Sequence, residues 1–222
     1  RLSDIADAYL LHDREIVVRC DDTVLRSTPG GAQFLRRARG QTPRAIKLPY
    51  AGPATLAVGG WFKNTVCVTR GSEAFVSQHV GDLDNAATCT FLEETVEHLL
   101  DVLQVKPERV AHDLHPDFHS TRFAADFARM RGLPVIAVQH HHAHLAALLA
   151  EHGIRETTLG LALDGVGLGT DGGAWGGELL RAGRRECTRV GSLVALPLPG
   201  GDRAAREPWR MAAAVLHKLG RG

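Results

Sequence analysis

The chain has 222 residues, of which 44% are hydrophobic and 23% charged, and its formal net charge is +1. This composition is typical of a globular protein that can bury a core, and the near-neutral charge gives no electrostatic case for binding nucleic acid or a membrane surface. No apolar stretch approaches the roughly 20 residues of a membrane span. The four cysteines lie far apart along the chain, which indicates reduced, mostly buried thiols in a cytoplasmic protein.

The first 53 residues carry weak structural signals. A short helix is predicted over residues 3–14, with Ser3 as its N-cap, followed by a β-type run over residues 15–20. Between Thr28 and Pro53, Gly, Pro and Arg dominate and the hydrophobic periodicity disappears, which predicts a domain boundary or a linker. The abrupt start of the chain favours an internal piece of a longer protein.

A regular alternation of strands and helices begins at Thr55. Three strand-like runs, TLAVGG, TVCVTR and AFVSQH, are predicted to be joined by tight turns at residues 59–60 and 71–72. A helix is predicted over residues 90–104, because its apolar residues lie on one side. The next predicted elements are a strand, a helix, a strand and a helix, with the sequences RVAHDL, TRFAADFARMRG, PVIAVQ and HHHAHLAALLAEHG. This order predicts an α/β fold with parallel strands.

The opening pattern then returns. TLGLALDGVG is a strand running into a Gly-rich turn, as TLAVGG is, and AWGGELLRA and ECTRVGSLVA supply two further strands. LPLPGGD leads into an apolar helix predicted over Ala204–Leu219. Because an internal repeat constrains the architecture, we expect two related α/β halves that face each other across a cleft between glycine turns. The second half is expected to be cut off after its first hairpins and a helix.

The run VQHHHAHLAALLA places four histidines in five positions at the start of an apolar helix. His140 and His144 are four residues apart, so a helix brings them to one face, roughly 6 Å apart, as two ligands of one ion require. Because no methionine or thiolate is near, these ligands favour zinc or iron(II) over a soft metal. Imidazole binds only when neutral, so occupancy is predicted to fall below about pH 6.5. The alternative is that the histidines are ordinary polar residues of a helix start.

A third ligand is expected from Asp164, in the segment LALDGVGLGTDGG. If its strand lies beside PVIAVQ, the carboxylate converges with the two histidines and leaves coordination positions open for a substrate oxygen. The alternative is a plain Asp-Gly turn. A second histidine-rich segment, AHDLHPDFHST, has irregular spacing interrupted by Pro116. It is predicted to be a rigid loop lining the cleft rather than a second metal site.

Two turns are candidate nucleotide-binding sites. Backbone amides can approach a phosphate closely where glycines leave room. The candidates in the turn that follows Asp164 are Gly165, Gly167, Gly169, Asp171 and Gly172. A valine at Gly167 is therefore predicted to lower nucleotide affinity. In the hairpin turn of the first half, Lys63 and Asn64 either face a nucleotide phosphate or serve only as turn residues.

Six motifs together resemble one family, the HypF carbamoyltransferases of nickel-iron hydrogenase maturation. They are AVGGWFKNTVCV, SQHVGDLDN, DLHPDFHSTRFA, VQHHHAHLAALLAEHG, LALDGVGLGTDGGAWGGELL and LPLPGGDRAAREPWRMA. The resemblance implies that residues 1–47 are the C-terminal tail of a YrdC-like domain with its linker. It also implies that residues 48–222 are the truncated N-terminal part of a TsaD-like domain, which has the duplicated ribonuclease-H-like fold of actin, Hsp70 and sugar kinases. The predicted repeat agrees with this.

The resemblance also implies a multistep reaction. Carbamoyl phosphate and ATP give a carbamoyl-adenylate, and the TsaD-like domain passes the carbamoyl group to the C-terminal cysteine of HypE, for cyanide ligand synthesis. By likeness to antibiotic carbamoyltransferases, a divalent metal is held by His140, His144 and Asp164, with a later Asp expected beyond Gly222. Because the adenylating core is expected to lie outside the chain, the chain alone is expected not to cleave ATP in response to carbamoyl phosphate.

Two other functions stay open on the sequence alone. An O-carbamoyltransferase of antibiotic or nodulation-factor type places its YrdC-like domain after the TsaD-like domain. Here the YrdC-like tail comes first, which favours the HypF family. A metal-binding interaction module, catalytically incomplete, is the alternative outside the enzymes.

Overall fold

The computed structural model describes residues 3–183, 186–201 and 203–221, and most of their strands belong to two β-sheets, one of five strands and one of three. None of the helices in these ranges is long and apolar enough to cross a bilayer. All four cysteines are free thiols, but Cys20 is exposed and the other three are only half-buried, so the prediction of mostly buried thiols is wrong.

The N-terminal segment lacks regular structure. Residues 3–21 form turns and extended chain, so the helix predicted over residues 3–14 and the strand predicted over residues 15–20 are wrong. Leu10 and Leu11 are 101% and 83% exposed, so their side chains pack against nothing. A short helix with no surface to pack on is only marginally stable in water. The local sequence pattern alone therefore does not produce a helix over residues 3–14.

The predicted irregular linker over residues 28–53 contains strands instead. β1 (Val24–Thr28) and β2 (Gly31–Arg36) form an antiparallel hairpin, in which Thr28 is paired with Gly31. Pro29 and Gly30 connect the two strands, and Gly31 takes a φ of 114°. The Gly and Pro residues that predict a linker therefore form the turn of a hairpin. β3 (Ala45–Gly52) crosses the predicted domain boundary and joins the five-stranded sheet.

The five-stranded sheet has the order β3-β5-β4-β6-β7. Its other strands are β4 (Thr55–Ala57), β5 (Cys67–Val76), β6 (Arg109–Asp113) and β7 (Val135–Val138). β3, β5 and β4 are antiparallel, whereas β4, β6 and β7 are parallel. The runs TVCVTR and AFVSQH are predicted as two strands joined by a turn, but residues 67–70 of the first and 74–76 of the second lie in the single strand β5. Gly71, with a φ of 59°, lies within β5 without reversing the chain.

Three helices follow the predicted pattern closely. They are α1 (Ala86–Leu103), α2 (His119–Arg131) and α3 (His140–Glu151). α1 begins four residues before its predicted start because the Asn85 side chain caps it, accepting a hydrogen bond from the Thr88 N–H. The main core lies among this sheet, α1 and α2, and its fully buried residues include Leu56, Val58, Val68, Leu92, Val96 and Val110. Each such side chain contributes about 1.5–3 kcal/mol by its burial.

The second sheet repeats the opening of the first. It begins with β8 (Thr158–Ala162), and a small hairpin of β9 (Gly167–Leu168) and β10 (Ala174–Trp175) follows along the chain. β11 (Glu178–Ala182) then pairs antiparallel with both β8 and β12 (Cys187–Ser192). This antiparallel start, like that of β4 and β5, agrees with the predicted repeat and with a duplicated ribonuclease-H-like α/β fold.

The predicted C-terminal helix is divided into two. α4 (Arg203–Arg206) is a single turn, and α5 (Pro208–Lys218) follows after Glu207. Pro208 has no backbone N–H to continue the hydrogen bonding of α4, but it suits the first turn of α5. The single helix predicted over Ala204–Leu219 is therefore wrong at this point.

Helix α3 lies between the two sheets. It contacts β3 of the five-stranded sheet, and β8 and β11 of the three-stranded sheet. The histidine-rich N-terminus of α3 is consequently placed where residues of both sheets can reach it.

Candidate metal centre

His140, His144 and Asp164 form a candidate metal triad, whose possible ligand atoms all lie within 4.8 Å of one another. The two histidine Nε2 atoms are 3.2 Å apart, and Asp164 Oδ2 lies 2.9 Å from His140 Nε2 and 3.9 Å from His144 Nε2. Atoms bound about 2 Å from one tetrahedral zinc ion lie about 3.3 Å from one another. The nitrogen and oxygen donors and their separations therefore fit one divalent ion.

The start of α3 sets the position of both histidines. Gln139 is the N-cap, and its side-chain oxygen accepts a hydrogen bond from the His142 N–H at 2.9 Å. The Gln139 side-chain nitrogen donates to the Leu168 carbonyl at 3.1 Å, which ties the helix start to β9. Because the helix begins at His140, His144 follows one turn later on the same face, as the spacing predicts.

Asp164 reaches the histidines by a route other than the one predicted. β8 pairs with β11 and not with β7, so the predicted adjacency of the strand of Asp164 and PVIAVQ is wrong. The structure nevertheless brings the three residues together, because the loop after β8 carries Asp164 to the start of α3. The Gly165 N–H donates to Asp164 Oδ1 at 2.8 Å, while Oδ2 faces His140.

Asp113, at the end of β6, is a further residue of the site. Its Oδ2 lies 2.7 Å from His140 Nδ1, so His140 is held between two carboxylates. The hydrogen bond to Asp113 raises the pKa of His140, burial opposes the rise, and the charges of Asp113 and Asp164 add to it. Burial disfavours the charged form of Asp113, but hydrogen bonds from His140 and the His115 N–H outweigh burial and lower the pKa of Asp113.

His141 is buried and does not belong to the metal triad. The Gln139 side-chain nitrogen lies 3.0 Å from His141 Nδ1, which therefore acts as the acceptor, and the ring hydrogen resides on Nε2. Burial, followed by the charge of His140, lowers the pKa of His141 and keeps the ring neutral. His142 is half-buried and also lies outside the triad, so it is the better reference position for substitutions in this helix.

The segment AHDLHPDFHST is an ordered loop and helix start. The His115 ring stacks on Phe118 with centroids 4.4 Å apart, and Trp61 packs against Phe118 at 5.6 Å. Among the residues that the structure describes, only His140, His144 and Asp164 form a group suited to an ion, and the rigid loop predicted for this segment stays a prediction. Asp113 was missed as a site residue, although its place at the carboxyl end of a buried parallel strand was a usable signal.

The first glycine turn, residues 59–64, contains the two candidates Lys63 and Asn64, which have different environments. Asn64 is 2% exposed, and its side-chain nitrogen donates to the carbonyls of Val58 and Gly60 at 2.8 and 2.9 Å. It thereby holds the turn in place. Lys63 is exposed, and its N–H donates to Asp82 Oδ1 at 2.8 Å. The Lys63 side chain is thus the more accessible of the two.

The second glycine turn is braced by Asp171. Its Oδ1 accepts hydrogen bonds from the Gly173 N–H at 3.0 Å and from Trp175 Nε1 at 2.9 Å. These hydrogen bonds lower the pKa of Asp171. A Cβ on Gly169 would lie 2.1 Å from Trp175 Nε1, so only glycine fits beneath this indole. Gly172 has a φ of 77°, which glycine adopts readily.

Replacing Gly167 with alanine is expected to disturb the metal triad. A Cβ at this position would lie 2.8 Å from His140 Cβ and 3.0 Å from its ring, so His140 must move. We expect a loss of metal affinity comparable to the roughly 10- to 100-fold caused by disturbing the support of a metal ligand. Isothermal titration with zinc measures it. Gly165→Ala is the matched control, because its Cβ would meet nothing within 4 Å; equal affinity in both variants would contradict the expectation.

Two family models of HypF-type domains match most of the chain. Residues 50–151 match the model of the HypF Kae1-like domain, and residues 160–222 match that of the second subdomain of the carbamoyltransferase Kae1-like domain. The chain belongs to the HypF family. These two matches cover both the histidine helix and the loop of Asp164.

Relatives that are named HypF align with this chain along its whole length. Carbamoyltransferase HypF2 of Cupriavidus necator is 68% identical over 225 residues, which cover 100% of this chain and 28% of that protein. Carbamoyltransferase HypF of Rhizobium leguminosarum bv. viciae is 52% identical over 221 residues, covering 100% of this chain and 29% of that protein. The chain therefore spans less than a third of the length of these two HypF relatives.

Solved HypF structures have the same fold. Full-length HypF in a phosphate- and nucleotide-bound form matches with a TM-score of 0.87 and 43% identity, over 97% of this chain and 34% of that chain. HypF from T. kodakarensis matches with a TM-score of 0.89 and 37% identity, over 98% of this chain and 29% of that chain. The predicted family and fold are confirmed.

Proposed function

We propose that this chain is part of a cytoplasmic HypF enzyme that transfers a carbamoyl group during hydrogenase maturation. Carbamoyl phosphate and ATP give a carbamoyl-adenylate, whose carbamoyl group passes to the C-terminal cysteine of HypE. Residues 1–47 are proposed to be the tail of a YrdC-like domain with its linker, whose last residues join β3, and residues 48–222 the N-terminal part of the TsaD-like transferase domain. The observation that carries the proposal is the metal triad, which lies between the two halves of a fold shared with HypF proteins.

Zinc or iron(II) is the proposed metal. His140 and His144 would bind it through Nε2, and Asp164 through Oδ2, which leaves coordination positions free. A bound ion would act as a Lewis acid toward a carbonyl oxygen. The Asp164 carboxylate would partly neutralise the charge of the ion, while the histidines must be neutral to present their lone pairs.

The transfer itself exchanges one bond for another. The thiolate sulfur of HypE forms a bond to the carbamoyl carbon, the bond from that carbon to the phosphate oxygen breaks, and AMP leaves with the electron pair. Backbone and cationic groups of the two glycine turns are proposed to hold the adenylate phosphate. These candidates are Lys63, Gly165, Gly167, Gly169 and Gly172, with Asn64 and Asp171 acting through the turns they brace.

Mass spectrometry of HypE tests the proposed function. With the whole enzyme, metal, carbamoyl phosphate and ATP, wild-type HypE is expected to gain one carbamoyl group, whereas HypE with alanine at its C-terminal cysteine gains none. Asp164→Ala is expected to slow transfer by more than the roughly 10- to 100-fold that follows from removing a residue that only hydrogen-bonds a metal ligand. Asp117→Ala, an exposed carboxylate, is the control. Carbamoylation of a hydroxyl acceptor instead would favour the O-carbamoyltransferase, and metal binding without transfer would favour the interaction module.

A further inference from the structure

We propose that Asp113 positions His140 for metal binding, by fixing which ring nitrogen carries the hydrogen and where the ring points. The inference rests on the metal site of the proposed function, and it adds a residue outside the metal triad. Asp113 Oδ2 is 2.7 Å from His140 Nδ1, and Asp113 is 8% exposed. Because the Asp113 carboxylate is buried, water does not compete for its hydrogen bond to His140.

The hydrogen bond determines the tautomer of His140. A carboxylate offers only acceptor atoms, so the hydrogen shared with Asp113 belongs to His140 Nδ1. In the neutral ring the lone pair then resides on Nε2. That atom is the one that faces Asp164 at 2.9 Å and His144 at 3.2 Å. Asp113 therefore directs the metal-binding lone pair of His140 into the triad.

Asp113 is itself held rigidly. Its Oδ1 accepts a hydrogen bond from the His115 N–H at 2.8 Å, and its backbone carbonyl accepts one from the Thr121 hydroxyl at 3.2 Å. A Cβ on Gly60 would lie 3.6 Å from Asp113 Oδ2 and 3.9 Å from the His140 ring, so backbone packs beside this pair. The carboxylate is thus held in place by β6 and by the loop that follows it.

Cobalt(II) titration of the whole enzyme, followed by its visible absorption, tests the inference. Asp113→Ala is expected to weaken cobalt binding by about 10- to 100-fold. Asp113→Asn is expected to restore part of this loss, because an amide oxygen still accepts from Nδ1–H but carries no charge. Asp117→Ala, which removes an exposed carboxylate from the same loop, is expected to bind cobalt as the wild type does.

The possible results separate this inference from the proposed function. Wild-type cobalt affinity and spectrum in both Asp113 variants would overturn the role of Asp113 while leaving the triad intact. If Asp113→Ala does not fold, the Asn variant decides, and wild-type binding by it overturns the inference. Equal cobalt binding by wild type and His144→Ala would instead refute the metal site of the proposed function.

Discussion

Metal content is expected to fall to background when either histidine of the triad is replaced. His140→Ala and His144→Ala each remove one of the three ligands that the described residues supply, and the weakened ligand set is expected to lose a dication to water. The loss should exceed the roughly 10- to 100-fold that follows from changes outside the ligand set. Elemental analysis of purified protein, at a defined zinc or iron concentration, measures the bound metal.

His142→Ala is the matched control for these variants, because it removes an imidazole from the same helical turn but not from the triad. His141→Ala would be a poor control, since His141 is 0% exposed and its removal leaves a cavity. Metal loss in His142→Ala together with retention in His144→Ala would show that the facing-pair geometry is wrong.

The pH dependence of metal binding follows from the same geometry. A proton on His140 competes with the ion, and the hydrogen bond to Asp113 raises the pKa of His140 from its usual value near 6.5. Apparent metal affinity is therefore expected to decline already above pH 6.5 as the pH is lowered. The sequence alone predicts the decline only below that value.

The largest loss of stability is expected from Glu178→Ala. Glu178 is 0% exposed at the start of β11, and it accepts hydrogen bonds from Arg189 Nε at 2.6 Å, Arg189 Nη2 at 3.0 Å and the Gly176 N–H at 2.9 Å. Removing one partner of a buried pair costs about 3–5 kcal/mol. Because the Arg189 side chain is 36% exposed and water can solvate it without its partner, we expect less than this range, about 1–3 kcal/mol. Chemical denaturation measures the free energy of unfolding.

The contribution of Glu178 should also depend on pH. Burial opposes its charge, but the hydrogen bonds from Arg189 and Gly176 outweigh burial and lower its pKa. A carboxyl group with a lowered pKa stabilises the fold above its unfolded pKa, near 4.3, and this stabilisation is lost as the pH falls through the folded value. Glu178→Gln should lack that dependence, and Glu186→Ala, an exposed carboxylate, should leave stability unchanged. If the stability of Glu178→Gln falls with decreasing pH as that of the wild type does, the expected contribution of Glu178 is wrong.

The two histidines of the site could be predicted because the pattern that identifies them lies within a few residues of the sequence. His140 and His144 need only a helix to share a face, and Gln139 begins that helix. Asp113 and Glu178 could not be assigned in the same way, because their partners are 27 and 11 residues away and meet them only through the packing of strands. A motif identifies residues close in sequence, whereas a supporting carboxylate is defined by the tertiary structure.

The N-terminal errors have a related cause. The helix predicted over residues 3–14 relied on local pattern alone, yet Leu10 and Leu11 have no surface to pack against. The hairpin of β1 and β2 was missed because Gly and Pro were read as signs of a linker, although they are also the residues of tight connections. In both cases the same residues are compatible with two structures, and only their neighbours in space decide.

The position of α3 between the sheets has a thermodynamic consequence. Asp113 belongs to one sheet, Asp164 follows a strand of the other, and His140 contacts both carboxylates. Any rotation of one sheet relative to the other changes the distance between Asp164 and the histidines, so ion affinity and the relative orientation of the two sheets are linked quantities. By reciprocity, any ligand that favours one orientation of the sheets changes the ion affinity by the same factor by which the ion favours that orientation.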